Sequence, residues 1–109
     1  GCAFCIDMHT KDARALGETE MRLYVLPAWR EAPFYSEQER AALALCEAMT
    51  LLSHGPVEDD VYEAAAAVFS PGELAALIWA VTVINAWNRI AVTTQSEPGI
   101  YESPIGKSK

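Results

Sequence analysis

The chain has 109 residues, 51% of them hydrophobic, and its 15 acidic and 8 basic residues give a formal net charge of −7 at pH 7. This length fits one domain, and an acidic chain repels phosphate backbones, so we expect no nucleic acid partner. The three cysteines are too few and too unevenly spaced for a secreted disulfide scaffold, and they favour a reducing, cytoplasmic setting.

The first predicted element is a helix that carries two cysteines and a histidine and ends at Gly17. If this segment is helical, Cys2, Cys5 and His9 are spaced i, i+3 and i+7 and lie on one stripe. Both thiols then lie in the first turns, where the helix dipole favours a negatively charged sulfur. The pattern predicts a redox-active dithiol with its own base.

The rest of the chain also has helical patterns, and no strand pattern competes with them. In chain order we predict a short helix over 20–26, an irregular connector over 28–35, a helix from the Ser36 capping box to about residue 53, a helix over 59–69, and an apolar helix that follows the Ser70 capping box and runs over 73–92. Residues 96–109 are rich in Pro and Gly, and they predict a flexible C-terminal tail or an arm on a neighbouring subunit. The predicted fold class is therefore all-α.

The apolar helix over 73–92 is interrupted by Asn85, Asn88 and Arg89, so we expect no membrane span. It is apolar nearly all round, which places it at the centre of the bundle or of a homo-oligomer. Trp79 and Trp87 are expected in the core or in that interface. The three polar residues need partners, which the sequence leaves open between the backbone, a second subunit and a residue outside this chain.

Cys2, Cys5 and His9 have two other interpretations. They could be unrelated residues on an amphipathic helix, or ligands of a zinc ion completed by Cys46 or His54. Structural zinc cysteines usually come in two separated pairs, and this chain has no second pair. We therefore predict no metal and no cofactor, with Cys46 as a buried free thiol and His54 as an exposed helix cap.

The spacing Cys2-x-x-Cys5-x-x-x-His9 resembles the alkylhydroperoxidase (AhpD) branch of the carboxymuconolactone decarboxylase superfamily. The likeness continues in Glu18-Thr19-Glu20, in Leu26-Pro27-Ala28-Trp29-Arg30-Glu31 and in Asn85-Ala86-Trp87-Asn88-Arg89. It covers the chain up to about residue 95. The resemblance implies an AhpD-like helical bundle over 1–95 whose N-terminal part precedes this sequence, assembled as a trimer or a multiple of one.

The resemblance also implies an activity, thiol-dependent reduction of a hydroperoxide. Cys5 would attack the peroxide, Cys2 would resolve it as a disulfide, and His9 would relay the proton with a glutamate from a preceding helix. An external dithiol or thiol protein would restore the reduced pair. A histidine that precedes the second cysteine in the best-known relatives is Phe4 here. The alternatives are a decarboxylase-like lyase and a non-catalytic oligomeric helical domain that could bind metal.

Overall fold

A computed structural model describes residues 1–107, and all of its regular elements are helical. They are α1 (Ala3–Ala15), α2 (Glu20–Tyr24), a 3₁₀ helix (Leu26–Ala28), α3 (Glu37–Thr50), a second 3₁₀ helix (Leu52–His54), α4 (Asp59–Val68) and α5 (Pro71–Thr93). Within residues 1–107 there is no strand, which confirms the predicted all-α class. The chain divides into two compact units, one formed by Gly1–Ala28 with Ala86–Lys109 and the other by Trp29–Asn85.

The unit Trp29–Asn85 is built on two capping boxes and a small core. The Ser36 hydroxyl accepts the Glu39 N–H at 3.1 Å while the Glu39 carboxylate accepts the Ser36 N–H, and this pair fixes the start of α3. A second box, formed by Ser70 and Glu73 over the same spacing, starts α5. The core holds Leu45, Ala65 and Leu74, from α3, α4 and α5, all almost completely buried.

The end of α3 differs from the prediction, which extended the helix to about residue 53. The α-helix ends at Thr50, and residues 52–54 tighten into a 3₁₀ turn. Gly55 follows with φ +147, a conformation that costs glycine little because it has no Cβ. The backbone therefore leaves the α-helix one turn before the glycine that ends the whole segment.

In the other unit, α1 ends where its sequence predicts. Gly17 adopts φ +99, its N–H donates to the Arg14 carbonyl at 3.0 Å, and the Glu18 N–H donates to the Ala13 carbonyl at 2.9 Å. The Thr19 hydroxyl then accepts the Arg22 N–H at 3.3 Å and starts α2. Residues 96–107 form neither helix nor strand. The flexible tail or arm over 96–109 remains a prediction, and residues 108–109 lie outside those described.

Helix α5 is more exposed than an internal helix would be. Trp79 is 68% exposed and Trp87 is 57% exposed, so neither tryptophan belongs to a core of this single chain. The sequence placed α5 at the centre of the bundle or of an oligomer; the exposed tryptophans disfavour the first alternative, and the second remains a prediction. By length and composition α5 could also cross a membrane, which Asn85, Asn88 and Arg89 disfavour.

Candidate active site

The two cysteines of the predicted dithiol meet at the beginning of α1. Cys2 is the N-cap residue, with extended backbone angles, and Cys5 lies in the first helical turn. Their sulfurs form a disulfide, with the Cα atoms 5.3 Å apart, a separation common in disulfides. Cys2 and Cys5 are 2% and 5% exposed. The structure thus holds the oxidised form of the pair.

The local backbone also favours negative charge on these sulfurs. Cys2 caps the helix instead of lying within it, and its Sγ accepts the Cys5 N–H at 3.2 Å. The unpaired N–H groups and the positive end of the helix dipole stabilise a thiolate at this position. The arrangement can therefore support exchange between a dithiol and a disulfide.

His9 lies one turn beyond Cys5 on α1, and its side chain is exposed. Among residues 1–107 no hydrogen bond joins its imidazole to either sulfur. The nearby positive character of His9 contributes, as the smallest of several causes, to the lowered pKa of Asp12, three residues further along the helix. The structure therefore brings together two of the three predicted site residues, and the role of His9 remains a prediction.

Residues 99–103, which we call the strap, contact α1. The sequence did not predict these contacts. Asp7 and Lys11 form an i,i+4 ion pair at 2.8 Å, and the Gly99 N–H donates to Asp7 Oδ2 at 2.9 Å. The Lys11 ammonium donates to the Tyr101 carbonyl at 2.9 Å. These bonds, from Lys11 and then from Gly99, lower the pKa of Asp7.

A second part of the strap surrounds Asp12. The Tyr101 hydroxyl lies 2.8 Å from Asp12 Oδ1 and 3.1 Å from Oδ2, and Ser103 also bonds to this carboxylate. The bonds from Ser103 and Tyr101, with the attraction of His9, outweigh burial and lower the pKa of Asp12. The same contact with Asp12 raises the pKa of Tyr101. Asp12 therefore carries its negative charge at neutral pH.

The tryptophan segment that resembles the family has a structural role. Trp29 is buried, and its Nε1 donates to Glu47 Oε1 at 2.7 Å, while Arg30 donates to Glu47 Oε2 at 2.6 Å. Burial raises the pKa of Glu47, but the bonds from Arg30 and Trp29 outweigh it, and the net shift is downward. The Arg30 guanidinium also lies 4.3 Å from the centre of the Trp29 ring. These contacts fix the connector on α3.

The residues proposed for a zinc site find other surroundings. Cys46 is partly buried, and burial raises the pKa of its thiol, so it is protonated near neutral pH. His54 is exposed, and Cys2 and Cys5 are bonded to each other. In the part of the chain that the structure describes, no three His, Cys, Asp or Glu side chains form a group that could hold a metal ion. The zinc interpretation gains no support from this geometry.

Asn85, whose partner the sequence left open, is bonded within the unit Trp29–Asn85. Its side-chain amide donates to the Thr50 hydroxyl and to the Val81 carbonyl, each at 2.9 Å. Asn85 is therefore bonded to the backbone, one of the three partners that the sequence left open, and also to a side chain at the end of α3. This amide group links α5 to the end of α3.

Comparison with known proteins identifies the family of the segment that holds the dithiol. The profile of the carboxymuconolactone decarboxylase family matches residues 1–48, which include both cysteines and His9. A curated relative, the uncharacterized protein YdfG of Bacillus subtilis (strain 168), is 48% identical over 92 residues, which are 84% of this chain. The chain spans 63% of the length of that relative.

A solved structure is also similar. It is the crystal structure of ATU0492 from Agrobacterium tumefaciens, a protein of unknown function that its description proposes to be the antioxidant defence protein AhpD. The two chains are 42% identical with a TM-score of 0.88, over 93% of this chain and 69% of the other. This chain belongs to the AhpD-like branch of the carboxymuconolactone decarboxylase superfamily, as its motifs predict.

Proposed function

We propose that this chain is the thiol-bearing part of an AhpD-like hydroperoxide reductase. The observation that carries the proposal is the Cys2–Cys5 disulfide at the N-terminal cap of α1. A pair of cysteines three residues apart at a helix N-terminus, where the Cys5 N–H donates to the Cys2 sulfur, is suited to accept and release two electrons. The family membership and the description of the Agrobacterium protein support the same activity.

The proposed reaction consumes one peroxide and one dithiol. The Cys5 thiolate attacks the terminal oxygen of the hydroperoxide, the O–O bond breaks, and the alcohol leaves with a proton relayed by His9. Cys5 is then a sulfenic acid. The Cys2 thiol attacks the Cys5 sulfur, the S–O bond breaks, and water leaves as the disulfide forms. An external dithiol or thiol protein returns two electrons and two protons and restores both thiols.

The proposal ranks above the two alternatives because it uses the paired sulfurs. Lactone decarboxylation has no need for a thiol pair, and a non-catalytic domain has no need for both thiols at a helix N-terminus. Regeneration by an external dithiol requires a reducing compartment, so we place the protein in the cytoplasm. We also propose a homo-oligomer, a trimer or a multiple of one, as the working assembly.

The direct test follows the thiols during the reaction. We expect the reduced chain to consume one equivalent of peroxide and to lose two hydrogens, because Cys2 and Cys5 close into a disulfide. Mass spectrometry of peptides should locate the bridge, with Cys46 still reduced as an internal control. Stable sulfonic acid on Cys5 with no bridge to Cys2 would contradict the resolving role of Cys2.

Replacing His9 tests the proton relay. We expect His9→Gln to lower the peroxide rate at pH 7 by about a hundredfold, the typical contribution of one general base. The rate should recover in part at higher pH, since a thiol ionises unaided near its ordinary pKa of about 8.5. The measurement is a pH–rate profile of both proteins, with circular dichroism as the folding control. Identical profiles would show that His9 takes no part.

A further inference from the structure

A groove of about 1120 Å³ lies between α1, α2 and the strap. Every residue that lines it belongs to the compact unit formed by Gly1–Ala28 with Ala86–Lys109. Protein pockets that bind small molecules measure roughly 300–1000 Å³, so this groove has room for such a ligand.

The groove uses a different face of α1 from the dithiol. Ile6, Thr10 and Arg14 line it, and their spacing of four residues places them on one face of the helix. Cys5 and His9 lie on a stripe about 100° round the helix, since consecutive residues turn by that angle. Neither of them is among the described residues that line the groove. The groove is therefore separate from the proposed peroxide chemistry.

Large apolar side chains line the groove and face water. Ile6 comes from α1, Tyr24 from α2 and Ile100 from the strap, and each of the three is more than half exposed. Leu23 also lines the groove and is partly buried. A ligand with an apolar body would cover these side chains, and the burial of apolar surface would favour its binding.

The groove also carries basic side chains. Lys11, Arg14 and Lys107 line it, and they are three of the eight Lys and Arg residues in a chain whose formal net charge is −7. Two of these charges are paired closely, because Lys11 lies 2.8 Å from Asp7 and Lys107 lies 2.6 Å from Glu102. Arg14 is the least neutralised of the three.

The Arg14 guanidinium has donors left for a ligand. One terminal nitrogen donates to the Glu18 carbonyl, and the other lies 3.8 Å from Glu20, which also lines the groove. That distance is too long for a hydrogen bond. A guanidinium can bind a carboxylate through two parallel N–H bonds. Arg14 lies eight residues beyond Ile6, about 12 Å along the helix axis, so an extended ligand can contact both.

We propose that this groove binds an organic anion with an apolar body, of the class of medium-chain aliphatic carboxylates. The Arg14 guanidinium holds the carboxylate, and the aliphatic chain lies against Ile6, Tyr24 and Ile100. An inorganic anion would leave the apolar side chains in water, and a neutral lipid would give Arg14 no charged partner. This ligand site goes beyond peroxide reduction and does not require it.

The test is a titration of the full chain with octanoate, measured by isothermal titration calorimetry and by chemical shifts in ¹H–¹⁵N NMR spectra. We expect saturable binding of one octanoate per chain, with shifts concentrated in α1, α2 and the strap. Octan-1-ol has the same chain length without the charge, and acetate has the charge without the apolar body. Each should bind at least about tenfold more weakly than octanoate.

Two substitutions change the charge that the carboxylate meets. Arg14→Gln should weaken octanoate binding about tenfold or more, because it removes the charged donor. Glu20→Gln should tighten binding about threefold, because it removes a carboxylate that competes for Arg14. Arg30→Gln is the matched control, since Arg30 is exposed, lies in the other compact unit and does not line the groove. It should bind octanoate as the wild-type chain does.

A second pair of variants tests the apolar side of the groove. Ile100→Ser should weaken octanoate binding about fivefold, because less apolar surface is covered. Leu16→Ser is its control, since Leu16 is an exposed apolar residue just after α1 that does not line the groove. Thermal melts report the folding of every variant. If Arg14→Gln fails to fold, Glu20→Gln and Ile100→Ser decide the matter.

Several results would overturn this inference. They are an absence of saturable octanoate binding to the wild-type chain, equal affinity for octan-1-ol, and equal weakening by Arg14→Gln and Arg30→Gln. Chemical shifts in α5 instead of in the groove would overturn it too, because octanoate would then lie on another apolar surface. A chain that binds octanoate as expected but does not consume peroxide supports the ligand site and contradicts only the proposed function.

Discussion

Replacing Cys5 with serine is expected to abolish peroxide turnover, with a loss of roughly a thousandfold or more, because the hydroxyl is a far weaker nucleophile than a thiolate. Cys2→Ser should behave differently. It keeps the attacking thiol, so it should consume one equivalent of peroxide and stop at the sulfenic acid of Cys5. The measurements are steady-state turnover with an external dithiol and trapping of the sulfenic acid with dimedone, followed by mass spectrometry.

Cys46→Ser is the control for these two variants, and it should keep full turnover, because the Cys46 thiol is partly buried and its pKa is raised. Cys5→Ser and Cys2→Ser together also test which sulfur attacks the peroxide. The family resemblance assigns attack to Cys5, whereas the Cys5 N–H donates to the sulfur of Cys2 and stabilises negative charge there. A first equivalent consumed by Cys5→Ser and not by Cys2→Ser would reverse the two roles.

The helices of this fold could be predicted because their signals are local. The Ser36 and Ser70 capping boxes and the φ +99 turn at Gly17 each depend on residues within a few positions of each other. The meeting of Cys2 with Cys5 is also local, since it follows from a spacing of three residues. The sequence missed only a detail of this pair, the cap position of Cys2, which the helical stripe did not predict.

The strap could not be predicted from local patterns. The i,i+4 spacing of Asp7 and Lys11 indicates an ion pair, but nothing in the sequence links Asp12 to Tyr101, which lies 89 positions away. Contacts over such separations depend on how the chain folds back on itself. A single sequence also cannot tell a core tryptophan from an interface tryptophan, because both are apolar residues at helical spacing. This ambiguity is why the sequence left α5 open between the centre of the bundle and the centre of an oligomer.

Helix α5 carries a stripe of large apolar side chains that this chain leaves in water. Trp79, Val83, Trp87 and Ile90 follow one another by four, four and three residues, so they share one face of the helix, and each is exposed. Burial of apolar surface contributes about 25 cal/mol per Å², and one tryptophan can bury roughly 150–250 Å². A second copy of the chain that covers this stripe would gain several kcal/mol per contact.

We therefore expect Trp87→Glu to dissociate the proposed homo-oligomer, because a carboxylate in the middle of an apolar contact must lose its hydration without a partner. The expected loss of affinity is about thirtyfold or more, the cost of removing an aromatic hot spot. Light scattering coupled to size-exclusion chromatography should show the monomer mass at concentrations where the wild-type chain is assembled. Trp87→Phe should keep the assembly, since the position stays aromatic.

Val92→Glu is the matched control for charge. Val92 is an exposed apolar residue of α5, but nine positions from Val83 bring it half-way round the helix from the stripe. The same carboxylate there should leave the assembly intact. If Val92→Glu also dissociated the oligomer, the whole surface of α5 would be covered in the assembly. Helix α5 would then be a central helix of the oligomer and not a helix with a single contact stripe. A wild-type chain that is monomeric at every concentration would contradict the homo-oligomer itself, and the exposed tryptophans would then need a cover other than a second copy.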